Sequence, residues 1–155
     1  MMNNIKLVKQ NLIYEDNHLL VFNKQPGILV QGDKTSDVPL LDIIKNYLKI
    51  TKNKKGNVYL GLVHRLDRTS SGAIVFAKTS KALSRLNKQF KNREVLKTYW
   101  ALVEGKNIPK EEKLINWVKK NQKKNKSFIS NKELKGCKKA VLNYIMIKRL
   151  KNYSF

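Results

Sequence analysis

One carboxylate stands between two guanidinium groups in the stretch Leu62-Val63-His64-Arg65-Leu66-Asp67-Arg68-Thr69-Ser70-Ser71-Gly72. Asp67 has Arg65 two residues before it and Arg68 directly after it. Nearby cations favour the ionised form of a carboxylate. The stretch holds no thiol and no second acid, so Asp67 suits nucleophilic or electrostatic work better than proton donation. Two apolar runs flank it, Tyr59 to Val63 and Ala73 to Ala77, each short enough to be a buried strand. Reactive side chains can be held rigidly at such a joint, and Gly72 lets the backbone turn before the second strand. The same residues would also serve in a surface turn whose Asp and Arg pair only with each other and with solvent. Residue types alone favour that plainer role.

Longer patterns point elsewhere. His64-Arg65-Leu66-Asp67, followed by Ser71-Gly72 and an apolar strand, resembles the signature of the pseudouridine synthases of the ribosomal large-subunit type (RluA-like). Tyr14-Glu15-Asp16-Asn17-His18-Leu19-Leu20-Val21-Phe22-Asn23-Lys24-Gln25-Pro26-Gly27 resembles the first motif of that family. The segment from Phe90 through Lys97-Thr98-Tyr99-Trp100-Ala101-Leu102-Val103-Glu104-Gly105 resembles the part that carries its active-site tyrosine. Three ordered motifs make a specific signal, and the resemblance runs from about Leu12 to Phe155.

The resemblance implies an α/β (α+β) catalytic domain with a mixed, largely antiparallel sheet and two flanking helices. It also implies isomerisation of uridine to pseudouridine in ribosomal or transfer RNA, with no cofactor and no metal. In that reading Asp67 is the nucleophile and Tyr99 stacks on the flipped uracil and helps remove its C5 proton. His64, Arg65, Arg68 and Lys97 are the RNA-binding candidates. A base inside structured RNA must be extruded to be reached, and Arg65 is the candidate to fill the gap. His64 and Leu66 are expected to hold the loop in shape. Family members continue past the position of Phe155 into a motif with a basic residue that pairs with the catalytic Asp. The expectation is therefore residues 1–11 as an N-terminal tail and 12–155 as a catalytic domain that is C-terminally incomplete. Two alternatives stand beside it: a catalytically dead RNA-binding remnant, and one half of a split synthase with a complementing C-terminal half as partner.

Composition agrees with RNA as the partner. The 155 residues carry 33 Lys and Arg against 11 Asp and Glu, a net charge of +22. Each phosphate that a protein cation neutralises releases condensed counterions, so a polyanion is the natural partner, ahead of an anionic membrane surface. Cys137 is the lone cysteine, which excludes a disulfide framework and suits a reducing cytoplasm. No apolar run has the length of a membrane span. The expectation is one soluble, cytoplasmic domain.

The remaining elements follow from periodicity. Residues 12–15 and 18–23 read as strands, then Pro26-Gly27 makes a turn that needs positive φ, and 28–30 resumes a strand. Lys24, at the end of the second strand, reads as a solvated lysine within reach of a phosphate. Residues 39–50 read as a helix with Ser36 or Asp37 as its cap, and 80–92 as a helix capped by Thr79 with a basic outer face. Residues 95–103 alternate as a strand with Lys97, Tyr99 and Ala101 on one face. The run 119–126 reads as a mobile basic hairpin or loop. Residues 138–149 read as a strand whose partner returns at Tyr153.

Overall fold

The computed structural model describes residues 2–105, 108–121 and 126–155. They fall into two compact units, divided after Leu96, where the sequence suggested one domain.

The first unit is built on an antiparallel sheet of order β1-β2-β4-β3: β1 (Leu12–Glu15), β2 (Leu19–Lys24), β4 (Gly72–Ala77) and β3 (Gly61–Leu62). Side chains alternate between the faces of a strand, and directly opposite residues share a face. Leu20 lies opposite Phe76 and Phe22 opposite Ile74, and all four are fully buried. Each such side chain contributes about 1.5–3 kcal/mol through its removal from water. Helix α2 (Leu40–Thr51) covers this face with Leu40, Ile43, Ile44, Tyr47 and Leu48. Helix α3 (Ser80–Lys91) packs on the other face, where Leu83 lies against Gly61 and leaves no room for a Cβ.

Residues 2–11 are not a tail. They form helix α1 (Met2–Asn11), whose Ile5 and Val8 join the core on the α2 side. Ile5 and Val8 have the i, i+3 spacing of one helix face, so the unit has three helices rather than two. The expected strand at 28–30 is absent as well. Val30 is buried, but the carbonyls of Leu29 and Val30 accept from the N–H groups of Leu40 and Leu41 at 2.7 and 3.2 Å. The segment caps α2 instead of joining a sheet, and Pro39, not Ser36 or Asp37, is the N-cap residue. Thr79 caps α3 as expected, its hydroxyl accepting from the N–H of Ala82.

At the start of β2, Asp16 accepts from the N–H groups of His18 and Leu19 and closes the β1–β2 turn. Beside it the half-buried Lys78 lies 2.6 Å from Glu15, with Lys52 at 3.3 Å. Burial pushes the Glu15 carboxyl up, but the hydrogen bonds and charges of Lys78 and Lys52 outweigh it and leave the net value lowered from 4.5. A carboxyl with a lowered folded-state value stabilises fully above its unfolded value and loses that contribution as pH falls through the folded one. Glu15→Gln should therefore be less stable than the parent chain at neutral pH and converge with it on acidification below 4.5. Urea unfolding midpoints across that range check this; parallel curves would contradict it.

The second unit, Lys97–Phe155, contains an antiparallel sheet of order β7-β6-β8, from β6 (Glu111–Asn121), β7 (Lys126–Ser130) and β8 (Lys138–Ile145). Of the basic run at 119–126, Lys119 to Asn121 end β6 and Lys126 begins β7, which pairs with it; residues 122–125 lie outside the described residues. The long strand expected over 95–103 is reduced to β5 (Val103–Glu104). Alternation marks residues able to form a strand, but a strand also needs a ladder partner, and 96–102 have none among the described residues. Strand β9 (Tyr153–Ser154) pairs with β5, not with β8. The expected turn at Lys151-Asn152 does form: Leu150 donates to Tyr153 and Phe155 to Lys148, both at 2.8 Å.

Candidate active site

Asp67 sits on the connection between β3 and β4, where the apolar runs stop. Its carbonyl accepts from the N–H of Ser70 at 3.0 Å, which closes a tight turn over Arg68 and Thr69. The side chain is exposed, as is that of Arg65, whereas Leu66 between them is buried in the core. Gly72 ends the loop at φ +124, which only glycine adopts without strain.

His64 holds the loop from the other end. Its Nε2 accepts from the N–H of Val75 at 3.2 Å, and its ring stacks on Phe90 of α3 with centroids 5.0 Å apart and planes at 19°. These contacts anchor His64 to β4 and α3, while Leu66 is buried in the core.

Arg68 does not pair with Asp67. Its guanidinium lies 2.8 Å from Asp37, its Nε donates to the Gly27 carbonyl at 3.0 Å, and its own carbonyl accepts from the Gly27 N–H at 2.7 Å. The side chain ties the loop to the Pro26-Gly27 turn, where Gly27 has the positive φ expected of it, +87. Among the described residues Asp67 is in no ion pair with Arg65 or Arg68, so the plain surface turn of mutually paired charges is not what forms.

The cation behind Asp67 is Lys24, read from the sequence as solvated. It is 0% exposed. Strand β2 runs one residue further than the alternation suggested, and Lys24 shares the inward face of Leu20 and Phe22. Its Nζ donates to the carbonyls of Gln25 (3.1 Å), Arg68 (3.2 Å) and Ser70 (2.6 Å). An ammonium has three donors, and here all three go to backbone, two of them to the turn that begins at Asp67. Burial pushes the Lys24 value down, and the negative charge of Asp67 pulls part of it back. The sequence signal for this residue was period two carried one step further: Leu20, Phe22, Lys24.

His64, Arg65, Asp67 and Arg68 thus share one braced loop of the first unit. Tyr99 and Lys97 belong to the second unit, both exposed, on the irregular segment before β5. A cleft of about 420 Å³ lined by Glu15, Asp16, Lys52, Tyr59 and Lys78 lies at the opposite end of β2 and β4 from the Asp67 loop. No group of three or more potential metal ligands is gathered among the described residues, and no helix among them is long and apolar enough to cross a membrane.

Residues 18–155 match the model of the RNA pseudouridylate synthase family. The chain belongs to that family. It is 41% identical over 100 residues to the ribosomal large subunit pseudouridine synthase C of Buchnera aphidicola subsp. Schizaphis graminum, covering 64% of this chain and 30% of that protein. With the protein of the same name from Rickettsia prowazekii it shares 33% identity over 153 residues, 97% of this chain and 47% of the relative. The chain thus spans less than half the length of these curated relatives. The solved structure of human RNA pseudouridylate synthase domain containing 4 superposes with a TM-score of 0.79 at 21% identity, covering 99% of this chain and 60% of that one. Membership of the pseudouridylate synthase family accounts for the mixed α/β fold, and the match includes the whole Asp67 loop.

Proposed function

We propose that this chain carries the catalytic Asp of an RNA pseudouridine synthase that isomerises uridine to pseudouridine in ribosomal or transfer RNA. The observation that carries the reading is the Asp67 loop: an exposed carboxylate on a backbone clamped by buried Lys24. Buried residues hold it and no described side chain shields it, as a nucleophile requires.

The isomerisation breaks the bond between uracil N1 and ribose C1′ and forms one between C5 and C1′. The C5 proton is released and N1 gains one, so no redox partner or cofactor enters. Asp67 attacks either C1′ or the ring, and both routes use the same ionised carboxylate. Arg65, exposed two residues away, fills the gap left by the extruded base. Tyr99 stacks on the uracil and assists loss of the C5 proton, and Lys97 contacts RNA phosphate.

Because the C5 hydrogen leaves, RNA carrying tritium at uridine C5 reports turnover directly. Release of tritium by this chain supports the reading. Binding without release favours a second reading, in which the chain binds RNA but turns over only with a complementing C-terminal half. The observation behind that alternative is the exposure of Tyr99 (60%) and Trp100 (80%) on a segment with no strand partner among the described residues.

A further inference from the structure

Helix α3 has a face that the Asp67 loop does not account for. Leu83, Leu86 and Phe90 point one way and are half-buried, while Lys81, Arg85 and Lys88 are exposed. At i, i+4 and i+7 these three cations line one stripe, on the side of the helix opposite Phe90. The sequence of α3, SKALSRLNKQFK, contains no acid. Like charges at this spacing repel, and Lys81 lies in the first turn, where the helix dipole disfavours a cation. Of the three, the dipole favours only Lys88, in the last turn; the mutual repulsion and the position of Lys81 work against the arrangement. In α2, on the other face of the sheet, Asp42 occupies the first turn and lies 4.0 Å from Lys45.

The stripe is also fixed relative to the candidate active site. Phe90 stacks on His64, three residues before Asp67, and Leu83 lies against Gly61 of β3. The helix is therefore anchored to both the strand and the loop of the same unit. From Lys81 to Lys88 the stripe is about 10 Å long at 1.5 Å per residue, with its three cations roughly 4.5 to 6 Å apart along the helix axis.

We infer that the outer face of α3 is a rail for the RNA phosphate backbone beside the target uridine, with Lys81, Arg85 and Lys88 each neutralising one phosphate. This rests on the RNA reading above and adds to it a particular surface. The rail aligns the strand; Asp67 and Arg65 act on the base. Its contribution is electrostatic, so it is read most directly from salt dependence.

The test compares two triple variants with equal loss of charge, using fluorescence anisotropy of a labelled ribosomal RNA fragment over a salt series. One is Lys81→Gln with Arg85→Gln and Lys88→Gln; the other is Lys49→Gln with Lys54→Gln and Lys55→Gln, in and just after α2. Circular dichroism verifies that both fold. For the α3 variant the slope of log affinity against log salt should become shallower by about 2 to 3, with affinity falling about 10- to 100-fold near 0.15 M salt. The α2 variant should keep a slope near that of the parent chain. Equal losses in both variants would mean diffuse charge rather than a rail, and would overturn the proposal. So would an α3 variant that keeps RNA binding but loses binding to anionic vesicles. A parent chain that binds no RNA would overturn the RNA reading itself.

Discussion

Asp67→Asn should abolish tritium release from C5-labelled uridine RNA while leaving RNA binding intact. The amide has the shape of the carboxylate but is not a nucleophile, and removal of an attacking group costs on the order of 10⁴-fold or more in turnover. Little else should change. The turn is closed by the Asp67 backbone carbonyl, not by its side chain, and the side chain is exposed. An electrostatic partner is buried Lys24, whose lowered value the Asp67 charge partly restores, so stability should fall, but by no more than about 1 kcal/mol. The net charge of +22 rises by one, so RNA affinity holds or improves slightly. Three measurements on one variant therefore separate the assignments. Lost release with retained anisotropy and a urea midpoint at most slightly lowered is the expected pattern. Turnover within tenfold of the parent would remove Asp67 as nucleophile. A collapsed midpoint would instead make the carboxylate a structural group.

The loop was legible in the sequence because two apolar runs bracket it, and burial of those runs forces the charged residues between them to the joint. Thr79 was legible as a cap for a similar reason: its hydroxyl acts on its own helix, so the signal is local. What was not legible depends on partners distant in sequence. Residues 95–103 have the alternation of a strand, but of these only Val103 has a ladder partner, Ser154 of β9. Asp37 has the chemistry of a cap, yet its carboxylate is taken by Arg68 across the turn. The buried Val30 belongs to a segment whose carbonyls cap α2, a use of backbone that side-chain pattern cannot reveal. In α1 the pattern was present but short, and the helix depends on packing against α2 and the sheet more than on its own propensity. Lys24 is the most consequential of these. A lysine in a basic chain is most often solvated, and only its register in β2 turns it inward.

That register yields the second large effect. Lys24→Met keeps the length and volume of the buried side chain but removes its three donors. The carbonyls of Gln25 and Ser70 lose the ammonium, while that of Arg68 keeps the Gly27 N–H. A buried acceptor left without a partner costs about 1–3 kcal/mol. The gain is relief from burying a charge, since burial lowers the Lys24 value. The two effects oppose each other, so the global loss should be about 1–3 kcal/mol, seen as a lower urea midpoint with unchanged slope. Turnover should fall further than stability accounts for. Without the clamp at Ser70 the turn beginning at Asp67 loses a brace on its far side, away from the His64 and Leu66 anchors, and a misplacement near 1 Å costs roughly 100-fold in rate. Lys24→Arg separates the two roles: it keeps the charge near Asp67, but its planar fork cannot aim three donors as the ammonium does. Met and Arg variants that both lose turnover while folded under assay conditions would identify Lys24 as the residue that positions the Asp67 loop. An Arg variant with full turnover would mean that the charge alone suffices. A Met variant that loses stability in proportion to rate would reduce Lys24 to a core contact.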